Sequence, residues 1–233
     1  MLLHMLYLRR FLLKVSVNAI LIVTLGLAGA APCHAKDDWE LWTELRLKKP
    51  LTESVTLQGV ISSRFRKDMG EFYKQFDEAG LTVKIWPWLK MEGAYHFDYS
   101  ERPVTQDGVY EHRPYAGLIP YAKWGALDVE NRNRLEYRDF NGVLADDWRY
   151  RNRTKASFPM GEDHWWEIKP FLSDEIFYGF NASEIQKNRF VAGVEKPIQK
   201  NLSMEIFYVL ESNKTGKDWN EFHALGIATT LTF

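Results

Sequence analysis

From residue 39 to its last residue, the chain alternates apolar and polar side chains with a period of two. In the segment 89–100, the odd-numbered residues are apolar or aromatic apart from Gly93, while the even-numbered residues are mostly charged or polar. Because successive side chains of a strand point to opposite faces, this pattern predicts strands with one apolar and one polar face. No segment after residue 35 approaches the run of about 18 apolar residues that marks a membrane helix. If this part of the chain spans a membrane, we expect a closed β-barrel, because that fold pairs all of its own backbone hydrogen bonds.

The alternation predicts ten clear strands separated by turn residues. They cover residues 55–66, 79–86, 89–100, 113–124, 127–138, 148–158, 165–177, 186–195, 202–211 and 220–233. An eleventh segment, residues 39–48, also has the pattern of a strand, although bacterial single-chain barrels have even strand numbers. Either this segment pairs irregularly at the seam of the barrel, or a strand is merged or missed elsewhere, and the sequence leaves both alternatives open.

The connections between these strands alternate in length. Those at residues 86–88, 125–126, 159–164 and 196–201 are short, whereas those at 67–73, 101–112, 139–147, 178–185 and 212–219 are mostly longer and more polar. Outer-membrane barrels have short periplasmic turns and longer extracellular loops. The alternation therefore predicts a C-terminus in the periplasm.

Residues 1–35 have the features of a secretory signal peptide. They contain Arg9, Arg10 and Lys14 but no acidic residue, then an apolar run over residues 15–31, and they end on the small residue Ala35. The alternative is an uncleaved anchor helix, but the run is short of the roughly 20 residues that span a membrane. We expect cleavage after Ala35, which leaves residues 36–233 as a single outer-membrane barrel domain. Cys33, the chain's single cysteine, leaves with the signal.

The charge of the processed chain excludes one class of function. Removing residues 1–35 leaves 27 basic and 31 acidic residues, a formal net charge of −4. A nucleic-acid-binding protein usually shows a strongly basic balance, so we expect no nucleic-acid partner.

The charged residues of the predicted strands indicate which face looks inward. In the segment 148–158, Arg149, Arg151, Arg153 and Lys155 share one face. A Lys or Arg on the lipid face near the midplane costs roughly 2 to 4 kcal/mol, so the charged face is expected to line the lumen. The same parity sends Asn131 and Asn133 outward, where an unpaired amide is costly.

The tryptophans near the strand ends predict two aromatic girdles at the membrane interfaces; they are Trp86, Trp88, Trp124, Trp148, Trp165, Trp166 and Trp219.

Four short motifs carry a resemblance to a known family. They are Leu41-Trp42-Thr43-Glu44, Asn-Arg-Asn-Arg-Leu-Glu-Tyr-Arg at 131–138, Lys-Pro-Phe-Leu-Ser-Asp-Glu at 169–175, and His223-Ala224-Leu225-Gly226 ahead of the terminal Phe233. With these motifs the chain resembles the Gram-negative outer-membrane β-barrel family called domain of unknown function 2490. The resemblance implies a barrel in the outer membrane, and it transfers no catalytic residues.

The sharpest candidate site is a set of arginines on two neighbouring predicted strands, here called the arginine ladder. Its members are Arg132, Arg134, Arg138, Arg149, Arg151 and Arg153. Because Arg binds carboxylate and phosphate through a bidentate fork, the ladder predicts a track for anionic solutes. The alternative is internal neutralisation by glutamates of the same inward face, in a lumen that side chains largely fill. A barrel of ten to twelve strands has a narrow lumen, so both a plugged barrel and a narrow channel remain open.

A barrel enzyme that acts on lipid or lipopolysaccharide is the alternative from another class. Such hydrolases need a serine and a histidine within hydrogen-bond reach. His96 and Ser100 share a face, but at strand spacing they lie about 13 Å apart, and no lipase motif is present. A metal site at Glu162, Asp163 and His164 is weaker than a solvated charge cluster. We therefore expect no cofactor and no metal, and an enzyme remains the less favoured alternative.

These observations predict an all-β fold: a single antiparallel transmembrane β-barrel of about 10 to 12 strands with short periplasmic turns and longer extracellular loops. The expected function is a structural barrel or a narrow passive channel for small anionic solutes. The expected partners are the lipid of the outer membrane and the barrel-assembly machinery, because the last strand closes on the aromatic Phe233 and so resembles the signal that this machinery reads.

Overall fold

In the computed structural model, residues 39–101, 108–161 and 164–233 are described. The predicted signal peptide lies outside these residues. Every regular element of the described residues is a β-strand. The strands are β1 (Trp39–Pro50), β2 (Val55–Arg66), β3 (Glu71–Trp86), β4 (Leu89–Glu101), β5 (Gly108–Trp124), β6 (Leu127–Arg138), β7 (Asp147–Ser157), β8 (Lys169–Gly179), β9 (Glu184–Gln199), β10 (Leu202–Thr215) and β11 (Asp218–Thr232).

The eleven strands form one closed barrel in which each strand pairs with its neighbours in sequence. Ten of the pairings are antiparallel, and the seam between β1 and β11 is parallel, from Trp39 opposite His223 to Lys48 opposite Thr232. In an up-and-down chain with an odd number of strands, the first and last strands run in the same direction, so closure must be parallel. The predicted barrel of 10 to 12 strands is confirmed, and its antiparallel pairing is corrected at this seam. The eleventh segment is thus a true strand, and it pairs irregularly at the seam.

Several strands are longer or shorter than their sequence pattern predicts. β3 begins at Glu71 rather than at residue 79. Before residue 79 the apolar Phe76 faces the lumen and its neighbours Gln75 and Asp77 face outward, so this part of the strand lacks the apolar outer face that the prediction relied on. β8 begins at Lys169 rather than at residue 165, and Ile168, just before it, forms an isolated bridge with Met160.

The two ends of the barrel are named here after the residues that lie there. The Phe233 end carries the connections at residues 51–54, 87–88, 125–126, 158–168 and 200–201, and the Trp39 end carries those at 67–70, 102–107, 139–146, 180–183 and 216–217. Three connections of the Phe233 end have two residues, and the 158–168 excursion is its long exception. In the tight turns after β5 and β10, Gly125 and Gly216 have φ of 61° and 64°, a region that favours glycine.

The two faces of the wall differ as the parity of the sequence predicts. On β4, Met91 is 46 % exposed on the outside, while its neighbour Glu92 is 4 % exposed on the inside. Large apolar side chains are exposed around the whole outer wall, among them Ile61, Leu81, Leu118, Leu135, Leu172, Phe190, Ile206 and Leu225. Exposed tryptophans flank this belt, with Trp86, Trp88, Trp124, Trp165 and Trp166 near the Phe233 end and Trp39, Trp148 and Trp219 near the Trp39 end. Across the described part of the chain, no helix has the length and apolar character needed to cross a membrane.

Candidate functional site in the barrel lumen

The lumen contains a large cavity rather than a fully packed core. Its volume is about 1020 Å³, and its lining runs from Glu53 and Ser54 at the Phe233 end to Arg138 and Arg149 towards the Trp39 end. Ligand pockets typically measure about 300 to 1,000 Å³, so this space can hold a small organic molecule.

The lining of the cavity carries an excess of positive charge. Of the described residues that line it, ten are arginines, eight are lysines and eleven are carboxylates. This excess of seven positive charges stands inside a chain whose formal net charge is −1. A cleft lined by one sign of charge with low-dielectric walls concentrates ions of the opposite sign. The lumen is therefore suited to attract anions.

The arginine ladder lies on one wall of this cavity, on β6 and β7. In the pairing of the two strands, Arg132 stands opposite Arg153 and Arg134 opposite Arg151. Strand pairing thus brings like charges together, which is unfavourable unless carboxylates separate them.

Each member of the ladder has a carboxylate partner. Arg134 donates to Glu92 at 2.5 and 3.1 Å, and Arg138 donates to Glu111 at 2.6 and 3.1 Å. Glu136, which has no exposed surface, accepts from Arg149 at 2.6 Å and from Arg151 at 2.7 Å. The remaining contacts are Arg132 to Glu175 at 2.8 Å, Arg151 to Glu175 at 2.9 Å and Arg153 to Glu130 at 3.1 Å. Much of the ladder therefore forms an ion-pair network that rigidifies the wall.

Two members of the ladder keep an unused donor. The Nε atoms of Arg132 and Arg153 are buried and have no hydrogen-bond partner among the described residues. Each of these side chains has one carboxylate partner in the structure, whereas Arg151 has two. Because these Nε atoms are covered by the protein, an anion in the cavity can contact only the exposed parts of the two side chains, which are 12 % and 27 % exposed.

A second group of cations lines the Phe233 end of the cavity, and sequence reasoning did not single it out. For Lys48, Lys84 and Lys155, no carboxylate of a described residue lies within 4.0 Å of Nζ. Lys155 instead lies 4.0 Å from the centre of the Phe171 ring. The odd–even alternation of the strands could have identified these lysines, because all three occupy inward positions near the ends of their strands.

An apolar cluster lies beside the cavity on β1, β8, β10 and β11, and the same strands also carry the charged Glu44, Arg46 and Glu205. Trp42, Phe171, Phe207 and Val209 are buried here against the small residues of β11, Ala224 and Ala228. At the edge of this cluster, the guanidinium of Arg64 lies 3.7 Å from the centre of the Trp42 ring. The cavity thus has aromatic side chains among its charged ones.

An ion-paired layer closes the cavity towards the Trp39 end. Lys74, Glu111 and Arg138 line both the main cavity and a second cavity beneath the connections of the Trp39 end. Glu111 accepts from Arg138 at 2.6 Å and from Arg113 at 2.8 Å. A solute that crosses the barrel must pass this layer.

The described residues contain neither a serine–histidine pair nor a cluster of metal ligands. His96 lies between Glu78 and Asp98, with its ring nitrogens 3.3 and 3.6 Å from the two carboxylates. Within the three described ranges, no serine hydroxyl is hydrogen-bonded to a histidine ring. The same residues contain no group of three or more possible metal ligands, while Glu162 and Asp163 lie outside them.

Comparison with known proteins gives one family assignment. Residues 39–222 match the model of a family described as Protein of unknown function (DUF2490), and no curated protein matches the chain. The match covers most of the chain and nearly the whole barrel, from the start of β1 into β11. The resemblance that the four sequence motifs indicate is thereby confirmed, and the chain belongs to the DUF2490 family.

Proposed function

We propose that this barrel spans the outer membrane of a Gram-negative bacterium and that its lumen binds and passively conducts small anions. The belt of exposed apolar side chains around the outer wall supports the membrane location. A soluble protein rarely exposes contiguous apolar patches of more than a few hundred square ångströms, whereas lipid accepts such a surface. The signal-peptide features of residues 1–35 support export across the inner membrane.

The tryptophans at both ends of the belt support the same location. Indole keeps its apolar body in lipid and its N–H in the hydrated interface, so two rings of tryptophan fit the two interfaces of a membrane. In this placement the Phe233 end faces the periplasm. The last strand, which ends on Phe233, would then be the segment that the barrel-assembly machinery binds.

The excess of cations in the cavity is the observation that carries the proposed activity. An anion that enters from the Phe233 end meets Lys48, Lys84 and Lys155 first, and none of these has an ion-pair partner among the described residues. Deeper in the cavity it reaches Arg132 and Arg153, each of which has a single carboxylate partner among the described residues. The rest of the arginine ladder holds this wall in place through its own glutamates.

The aromatic residues of the cavity narrow the class of solute. A carboxylate or phosphate group fits the cationic wall, and an apolar portion of the same molecule fits Trp42, Phe171 and Phe207. We therefore propose small organic anions as the solutes, with inorganic anions as weaker competitors.

The test is electrical recording from the purified mature protein in a planar bilayer under a salt gradient. Discrete current steps with a reversal potential shifted towards the anion equilibrium potential are expected, and an added organic anion should reduce the current carried by chloride. A folded barrel that gives no steps, or that selects cations, would contradict the proposal.

A further inference from the structure

One arginine of the lumen, Arg64 on β2, differs from the arginine ladder because it has no carboxylate partner. It is only 8 % exposed, and it lines the main cavity. No carboxylate of a described residue lies within 4.0 Å of its guanidinium, which also makes no hydrogen bond to any described residue. Every member of the ladder, by contrast, has at least one carboxylate partner. A buried charge without a partner is costly, so Arg64 is the arginine whose burial an added anion would compensate.

Two aromatic rings hold the Arg64 guanidinium in place. Its central carbon lies 3.7 Å from the centre of the Trp42 ring and 5.6 Å from that of the Phe76 ring. The indole N–H of Trp42 donates to Glu40 at 2.7 Å, and the Phe76 ring stacks on His96 with 4.7 Å between ring centres. Both rings are therefore fixed by contacts of their own. Because an aromatic ring attracts the charge of a guanidinium without using its N–H groups, the donors of Arg64 stay available.

The two Nη atoms of Arg64 are open to the lumen. The protein encloses the Nε atom, which has no hydrogen-bond partner, but it encloses neither Nη atom, and both lack a partner among the described residues. A pair of neighbouring guanidinium donors matches the two oxygens of a carboxylate in a bidentate fork. The partly exposed Phe76 ring also lines the cavity, so it offers apolar surface beside these donors.

The carboxylates on the strands around Arg64 are already held by other donors. They are Glu40, which accepts from Trp42 and Tyr73 at 2.7 Å each, Asp98, paired with Lys74 at 2.7 Å, and Glu211, paired with Lys187 at 2.5 Å and Arg189 at 2.6 Å. These bonds keep the three carboxylates away from Arg64 but leave their negative charges in its surroundings. Because like charges repel, an anion with two charges is disfavoured here relative to an anion with one.

We propose that Arg64 binds the carboxylate of a singly charged organic acid inside the lumen. The inference rests on the proposed function, because it names the solute class of the same cavity and the residue that selects it. Binding at Arg64 can nevertheless be measured without any current through the barrel.

Isothermal titration calorimetry of the full protein, purified from membranes into detergent micelles, tests the inference with benzoate as the probe. The wild type should bind benzoate saturably, and Arg64→Met should weaken this binding by about tenfold or more, because it removes a bidentate, charge-assisted pair of hydrogen bonds. Titration with inorganic phosphate should give the same result for both proteins, since the other cations of the lumen remain. A wild type that binds no benzoate, equal benzoate affinity in both proteins, or an equal loss of phosphate binding in Arg64→Met overturns the proposal.

The stability of the same variant separates a binding residue from a structural one. Arg64→Met leaves no carboxylate without its partner, so the midpoint of denaturant unfolding should not fall. The matched control is Arg134→Met, which also removes a buried guanidinium over a ring, that of Tyr115 at 3.9 Å, but leaves Glu92 unpaired and should lower the midpoint. An Arg64→Met barrel that fails to fold, or that loses as much stability as Arg134→Met, overturns the proposal.

The two proposals fail in different ways. A folded wild type that gives anion current but binds no benzoate counts against the Arg64 site alone. Benzoate binding that depends on Arg64, in a barrel that gives no current, counts against conduction alone.

Discussion

The guanidinium of Arg151 donates to the carboxylate of Glu136 at 2.7 Å, and Glu136 is completely buried inside the lumen. The same carboxylate accepts from Arg149 at 2.6 Å, so one negative charge separates two arginines of the same strand. Without the Glu136 carboxylate, the guanidinium groups of Arg149 and Arg151 would be buried close together with no negative charge between them. The relationship makes Glu136 the centre of the network that holds the arginine ladder.

We expect Glu136→Gln to destabilise the barrel by about 3 to 5 kcal/mol, because it leaves the buried guanidinium of Arg149 without a carboxylate partner and removes one of the two partners of Arg151. Denaturant unfolding of the refolded protein in detergent micelles, followed by tryptophan fluorescence, measures the change. Glu53→Gln is the control, since this exposed carboxylate has no ion pair in the described structure and should change stability by less than about 0.5 kcal/mol. A loss below about 1 kcal/mol for Glu136→Gln would show that the network does not support the wall.

The lysines of the Phe233 end should control ion selectivity without supporting the fold. Because Lys84 and Lys155 have no ion-pair partner in the described structure, replacing both with Glu should lower or reverse anion preference while the barrel stays folded. The reversal potential in a planar bilayer reports the preference, and heat-modifiable migration reports the fold.

Arg134 and Arg151 provide the contrasting pair of substitutions. Both donate to buried carboxylates, so Arg134→Glu with Arg151→Glu should reduce the yield of folded barrel before any change in selectivity can be measured. If this variant folds normally and only its selectivity changes, the ladder acts as a conduit wall and not as a structural network.

The parallel seam can be tested by a disulfide. Thr43 on β1 and Ile227 on β11 are paired in register and both point outward, and neighbouring strands lie within the Cα separation of about 4.4 to 6.8 Å that a disulfide needs. In a Cys33→Ala background, Thr43→Cys with Ile227→Cys should oxidise readily. Thr43→Cys with Leu225→Cys, two residues out of register, should not. Preferred oxidation of the second pair would place the seam in another register.

Phe233 should support assembly more than stability. Its backbone N–H donates to Lys48 at 3.0 Å and its ring lies near Lys49, but the side chain is largely exposed. Deleting Phe233 or replacing it with Lys should lower the amount of folded barrel in the outer membrane, whereas Phe233→Tyr should not. Fractionation followed by gel migration measures the folded amount, and a normal amount after deletion would contradict a role for this residue in assembly.

The sequence alone determined the β-strands of the barrel and the inward face of each strand, because side chains that alternate with a period of two separate into one apolar and one charged face. An arginine such as Arg151 on the lipid face near the midplane would cost about 2 to 4 kcal/mol, so the charged face of each strand must line the lumen. This orientation follows before any contact between residues is known. The same rule placed the ladder on the inner wall and sent Asn131 and Asn133 outward. The four motifs at residues 41–44, 131–138, 169–175 and 223–226 together indicated the family.

The tertiary structure alone decided how the strands close and which charges remain free. Direction and register at the seam depend on β1 meeting β11, residues that lie some 180 positions apart in the chain, and no local pattern encodes this contact. Parity likewise brings Arg132, Arg151 and Lys155 to the same lumen without showing which of them has a carboxylate at its side. Ion pairing depends on the relative stagger of neighbouring strands, so the network around Glu136 and the unpaired Lys155 become visible only when the barrel is closed.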